Sequence, residues 1–254
     1  MAMTTDELLI YILGSPSHFL AKPMATWLAA SRQFTAFATT FRDKIRKKVR
    51  TTQDTESLLD LRLELETAYL LLQAKRLSLV YEPQQAGQNR CPDFAVTFTT
   101  SYTFMVEVTR LRAGQRSSTD EAEVQTAASD GSLSPPFIDE RLADTICSKL
   151  GQLLAQHSNV LVVGVETLPL TPTDLRAMML HIQQRAEQGE ATFLQRYRWR
   201  SRSDFFRYYL RLSEVLVRGP QVSAVDPTVA WINPQAKHPL PSKVRTALYR
   251  SRAV

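Results

Sequence analysis

The run NVLVVGVE at residues 159–166 limits the fold more than any other stretch of this chain. It is apolar on both alternating faces, so as a strand it needs cover above and below, which is the signature of the middle of a sheet with helices on both sides. Amphipathic segments flank it. Residues 137–156 place Ile138, Leu142, Ile146, Leu150 and Leu153 along one side of a helix, and a further helix begins at Thr171 or Thr173 and runs to about Glu187. Residues 212–218 and 229–232 read as later strands, and a short basic helix from Pro241 to Arg250 closes the chain. The expected class is α/β.

A second pair of strands brings acids together. Pro92-Asp93 precedes a short strand at 94–98, residues 99–102 form a turn, and 103–108 return as the next strand, ending in Val106-Glu107-Val108-Thr109. An antiparallel hairpin with that turn sets Asp93 opposite Glu107 or Val108. Two carboxylates so close raise each other's pKa unless a cation neutralises them, and an oxygen-only pair suits Mg²⁺ or Mn²⁺. Ahead of the hairpin lies a helix over 56–76, which Asp54 or Thr55 can cap. At about 100° per residue, Leu61, Leu65, Ala68 and Leu72 share a stripe with Glu64 at its edge. Glu66 falls beside Arg62, Tyr69 and Gln73, as an exposed acid. A carboxylate at the rim of a buried face needs a partner, so Glu64 is the candidate third acid.

In this order, helix with Glu, strand, Pro-Asp strand and Glu strand, the chain resembles the PD-(D/E)xK nuclease superfamily over residues 54–167. The resemblance implies a restriction-endonuclease-like core, a central mixed sheet flanked by helices. It also implies Mg²⁺ or Mn²⁺ held by Asp93, Glu107 and the Val108 carbonyl, with Glu64 assisting through water, and DNA as the substrate of an endonuclease or exonuclease. Thr109 stands where the family has its Lys, and a hydroxyl brings neither the charge nor the pKa of an ammonium group. Arg110 points to the opposite face of the strand and cannot take that role. Two readings follow. In one, catalysis is kept with a displaced cation, Lys149 or Lys75; in the other, the fold is a catalytically inactive nucleic-acid-binding or assembly module.

Composition limits the alternatives. At 254 residues with 44% hydrophobic and 22% charged residues the chain is globular, with ample material for a core. No apolar run reaches the roughly 20 residues that span a bilayer. The short run at 8–13 follows Asp6 and lacks a basic leader, so a cytoplasmic protein is expected. Cys91 and Cys147 are not spaced as a zinc module, the four histidines are scattered, and no phosphate-binding glycine loop is present.

The net charge of +6 concentrates in RDKIRKKVR, residues 42–50, where Ile45 and Val49 continue the apolar spacing of Phe34, Phe37 and Phe41. The expectation is one amphipathic helix with a basic outer face, Arg42, Lys44, Arg46, Lys47, Lys48 and Arg50, as phosphate contacts; its bland counterpart is a solvated helix face. A second basic stretch, RYRWRSRSDFFRYYLR at 196–211, offers base stacking or, more commonly at helical spacing, core packing. Residues 1–53 read as an N-terminal helical extension broken near Gly14–Ser17 and at Lys22-Pro23, and 54–254 as the nuclease-like core. Residues 113–136 are small and polar and read as a mobile loop.

Overall fold

The computed structural model describes residues 3–52, 54–83, 91–112, 138–166, 170–219 and 228–251; the loop expected at 113–136 lies outside them. Six strands, β1 (Leu77–Tyr81), β2 (Phe94–Phe98), β3 (Tyr102–Arg110), β4 (Asn159–Gly164), β5 (Leu212–Arg218) and β6 (Thr228–Ile232), form one sheet in sequence order. The pairs β1/β2, β2/β3 and β5/β6 are antiparallel, while β3, β4 and β5 run parallel. All residues of β4 and β5 are buried, as the uninterrupted apolar run at 159–166 requires.

Parallel strands need crossovers. Helix α6 (Ile138–Leu150) lies in the connection from β3 to β4, and α7 (Pro172–Glu187), α8 (Ala191–Arg196) and α9 (Arg202–Tyr209) lie between β4 and β5. Both connections advance one strand in the same direction, so crossovers of one hand leave these helices on one face. There Leu161, Val163, Val215 and Val217 meet Leu142, Ile146, Met179 and Phe205. In the 196–211 stretch, Trp199, Phe205 and Tyr209 are core residues, and Arg211 donates to the Leu153 carbonyl. Core packing accounts for this segment.

The opposite face, carrying Val106, Val108, Val160, Val162 and Leu216, is covered by α1 (Thr5–Leu13), α2 (Ala21–Ala30), α3 (Arg32–Thr40), α4 (Arg42–Thr51), α5 (Thr55–Leu71) and α10 (Ser242–Arg250). Residues from α1 to α5 belong to a single apolar cluster with the sheet, so position 53/54 does not divide two cores. Gly14 ends α1 in the left-handed conformation, φ 75°, and donates to the Ile10 carbonyl. Pro23 does not break the chain; it sits in the first turn of α2, where a missing N–H costs nothing. The break falls instead at Ser31, whose side chain caps α3 through the Phe34 N–H at 3.2 Å.

The single helix expected over 34–50 is two, with Phe41 at the joint, φ −104° and ψ 14°. Rings explain the position of α4. Phe37 lies 5.9 Å from Tyr81 and 6.4 Å from Phe94, and Phe41 lies 6.1 Å from Tyr81. This aromatic packing fastens the α3–α4 joint over the ends of β1 and β2, next to Asp93.

Helix α5 ends at Leu71, earlier than expected, with Asp54 capping it through the Ser57 N–H at 2.8 Å. Strand β3 is longer at both ends than its apolar pattern suggested. Tyr102 pairs with Phe98, and partnership with β4 carries the strand on to Arg110 opposite Gly164.

Candidate metal centre

The site begins with strand register. Phe94 pairs with Val106 in an antiparallel ladder, which sets Asp93 against Glu107 at the end of β2. Asp93 Oδ2 accepts the Val108 N–H at 2.7 Å, and the Asp93 carbonyl accepts the Glu82 N–H at 2.8 Å. A residue in a strand turns its N–H and C=O to the same edge, so the Val108 carbonyl also faces the Asp93 side.

Three further elements converge here. Glu64 reaches in from α5, buried to 6% exposure. Lys48 of α4 donates to both Glu64 oxygens at 2.7 Å and to Glu82 Oε1 at 3.1 Å. From the other face of the sheet, Lys149 of α6 donates to Glu107 Oε1 at 2.9 Å and to Gln152 at 3.2 Å. Asp93 stands between the two faces and has no ion pair among the described residues.

Electrostatics single out Asp93. Its surface is partly open to a cleft beside α4, yet protein surrounds it on nearly every side. Burial, then the charges of Glu64 and Glu107, hold its carboxyl well above the ordinary aspartate range, against the opposing pull of the Val108 N–H and Lys48. Burial also raises Glu64, with Lys48 working against it. For Lys48, burial acts downward but Glu64, helped by Asp93 and Glu82, more than offsets it, so the ammonium is held charged. The buried Tyr81 hydroxyl makes no hydrogen bond of normal geometry among the described residues, and burial beside Glu64 pushes its phenol far up.

Among the described residues, no group of three or more His, Cys, Asp or Glu side chains is gathered closely enough to form a ready cage. The arrangement of charges gives the reason. Glu64 and Glu82 are turned toward Lys48, and Glu107 toward Lys149. When all are ionised, the carboxylates of Glu64, Glu82, Asp93 and Glu107 outnumber these two ammonium groups by two charges. A divalent cation on Asp93, Glu107 and the Val108 carbonyl matches that surplus and the hardness of the oxygen donors, so the donor set fits Mg²⁺ or Mn²⁺.

The other sequence candidates separate cleanly. Thr109 lines an open cleft of about 410 Å³ with Glu64, Val108, Lys149, Arg112 and Arg141. Lys149 reaches Glu107, whereas Lys75 is exposed beyond α5, beside the start of β1 at the other end of the sheet. Arg110 turns to the α5 face and pairs with Glu56, with Asp60 at 3.1 Å and with Glu166 at 2.6 Å. Glu66, expected as an exposed acid near Arg62, is instead half-buried and lies 3.6 Å from Arg218 of β5.

The α4 cations do not form one outer face. Lys48 enters the acid cluster, and Lys44 donates to the Tyr81 and Glu82 carbonyls at 2.9 and 3.0 Å. Arg46 and Arg42 lie over the Tyr11 ring, 4.3 and 5.8 Å from its centroid, while Lys47 and Arg50 are exposed. Sequence reasoning did not place Glu82, Tyr81 or Lys48 in the site. The signal for the first two was the strand ending at Tyr81-Glu82, which pairing with β2 brings level with Asp93; nothing in the sequence points Lys48 inward.

In comparisons with known proteins, no family model, curated protein or solved structure matches the chain. No helix among the described residues is long and apolar enough to cross a membrane.

Proposed function

We propose that the chain is a Mg²⁺- or Mn²⁺-dependent nuclease that hydrolyses phosphodiester bonds in DNA, built on a restriction-endonuclease-like core. The observation that carries this reading is the convergence of Asp93, Glu107 and Glu64, with Lys149 donating to Glu107 although Thr109 occupies the position of the family's Lys. A bound divalent cation supplies Lewis-acid polarisation of the scissile phosphate and neutralises its charge. Asp93 and Glu107 would hold it from adjacent strands, with Glu64 assisting, and the Val108 N–H fixes the Asp93 carboxylate in place. Lys149 lines the cleft at the end of β3 and brings the positive charge that Thr109 lacks, so it takes the role of orienting water and stabilising developing negative charge. The mixed sheet flanked by helices supports the same reading.

Thr109 itself favours a second reading, an inactive nuclease fold that binds nucleic acid or serves assembly. Incubating plasmid and single-stranded DNA with Mg²⁺ or Mn²⁺ separates the two. The wild type is expected to cleave, and Asp93→Ala, Glu107→Ala and Lys149→Met each to lose roughly a hundredfold or more. Binding of metal and DNA without cleavage selects the second reading. Calorimetry that finds no rise in melting temperature at millimolar Mg²⁺ or Mn²⁺ removes the metal site from both.

A further inference from the structure

Two hollows flank the carboxylates. The first is the cleft at the end of β3, walled by Glu64 and Lys149. A second, of about 520 Å³, lies between α4 and the start of β2, lined by Lys44, Lys47, Lys48, Glu82, Cys91 and Asp93. It shares Lys47 with a third, of about 510 Å³, that continues along α4 to Arg50. The acid cluster is thus the wall between a cleft on the α6 side and a basic groove on the α4 side.

Helical spacing explains which cations line the groove. Lys44, Lys47 and Lys48 recur at the three- and four-residue intervals that share a helix face, while Arg42 and Arg46 are held on Tyr11, Arg46 lining the third hollow rather than the groove beside Asp93. Lys47 is exposed and has no ion pair among the described residues. Among the described residues the lining offers ammonium groups and carboxylates and no Asn, Gln or Arg of the kind that reads base edges.

We propose that the groove between α4 and Asp93 seats a backbone phosphate adjacent to the reacting one, with Lys47 and Lys48 as its ligands. The proposal rests on the nuclease reading and assigns part of the substrate site to the N-terminal helices. Lys48 has two duties in it. Without a divalent cation its ammonium serves Glu64 and Glu82; with the cation neutralising the acid cluster, the ammonium is released toward the phosphate. Cation and polynucleotide therefore strengthen each other's binding through this one side chain, and by linkage the coupling is reciprocal. Lys47 and Lys48 meet the phosphodiester backbone, a contact that carries no sequence information of its own.

Cys91 provides the test, because it is exposed in the groove and the chain's other cysteine, Cys147, is buried. Labelling of Cys91 by uncharged N-ethylmaleimide is followed by peptide mapping on the full chain, with and without a 12-nucleotide DNA, in EDTA and in Ca²⁺; fluorescence anisotropy reports binding separately. The DNA is expected to slow labelling about five- to tenfold in Ca²⁺ and less in EDTA. Lys47→Met should lose most of the protection, Lys48→Met should erase the difference between Ca²⁺ and EDTA, and Lys243→Met, exposed on α10, should change neither. Binding by anisotropy with Cys91 labelled at its free rate overturns the phosphate seat and leaves the nuclease reading standing. Protection of Cys91 in a protein that never cleaves keeps the seat and sinks the catalytic reading. Absence of DNA binding in both ion conditions overturns the two together.

Discussion

Asp93 is the residue on which the charge of the site turns. Its folded pKa lies above the unfolded value, so the native state binds the proton more tightly and the associated stability is complete below the ordinary aspartate pKa. That stability is lost as pH rises through the folded pKa. At pH 8 in EDTA the ionised carboxylate is therefore a burden, and Asp93→Asn, which cannot ionise and keeps an oxygen for the Val108 N–H, is expected to melt higher than the wild type. Each kcal/mol relieved corresponds to about 2–4 °C in a chain of this size. Adding Mg²⁺ or Mn²⁺ should raise the wild type and leave the variant almost unmoved. Differential scanning calorimetry across pH 5–8 checks this, and equal melting of both proteins at pH 8 in EDTA would show that the carboxylate carries no such burden. The acids themselves were legible in sequence, because alternation and hairpin register are local rules that reach from Asp93 to Glu107. Their cations were less so. Lys149 stood among two candidates and only its position on α6 across β3 brings it to Glu107, and Lys48 read as a surface charge because the bend at Phe41 that aims it inward depends on rings from β1 and β2.

Among the elements, β4 shows how closely helix and sheet are fitted around the site. Gly164 ends the strand between Arg110 and Arg218, and a Cβ there would stand 2.5 Å from Leu63 Cδ2 and 2.9 Å from Cδ1 on α5. That contact sits one turn of α5 away from Glu64's neighbour Asp60, so the glycine sets the distance at which α5 approaches β3 and β4. Gly164→Val is expected to cost about 1–3 kcal/mol through overpacking, and Gly164→Ala less, because Leu63 is half-buried and can yield in part. Leu63→Ala placed in the Gly164→Val background should recover most of the loss, a coupling that urea denaturation of the four proteins in the cycle measures. Additive effects would mean that another neighbour meets the new side chain. The strand itself was readable from its apolar run, and the helices from their spacing and caps. Besides α5, which stops at Leu71, the elements misjudged in extent were bounded by tertiary partners: β3 lengthened by β4, and the 34–50 helix divided where Phe41 packs on Tyr81.

At the scale of the whole molecule, the N-terminal helices are structural cover and site wall at once. Leu8, Ile12, Met24, Phe34, Phe37 and Ile45 are buried in the cluster that contains Val106, Val108 and Val160 of the sheet, so removing residues 1–53 would bare Tyr81 and Phe94 of β1 and β2 and the side of α5 that carries Tyr69. A fully buried side chain of this kind is worth roughly 1.5–3 kcal/mol, and several together exceed the roughly 5–15 kcal/mol by which a domain is stable. The same cut removes Lys48, leaving Glu64 buried with no cation beside it, a loss that no other described lysine replaces. The 54–254 fragment is therefore expected to be insoluble or to lack fixed tertiary packing, despite containing every residue of the nuclease-like motif. Near-UV circular dichroism and binding of a hydrophobic dye test this on the refolded fragment, with the full chain as reference. A cooperative thermal transition and native-like near-UV signal would establish 54–254 as an independent core and reduce α1 to α4 to an appended unit. Failure of the fragment, with recovery of both signals on adding the 1–53 peptide, would establish that the chain folds as one body, its first fifty residues included.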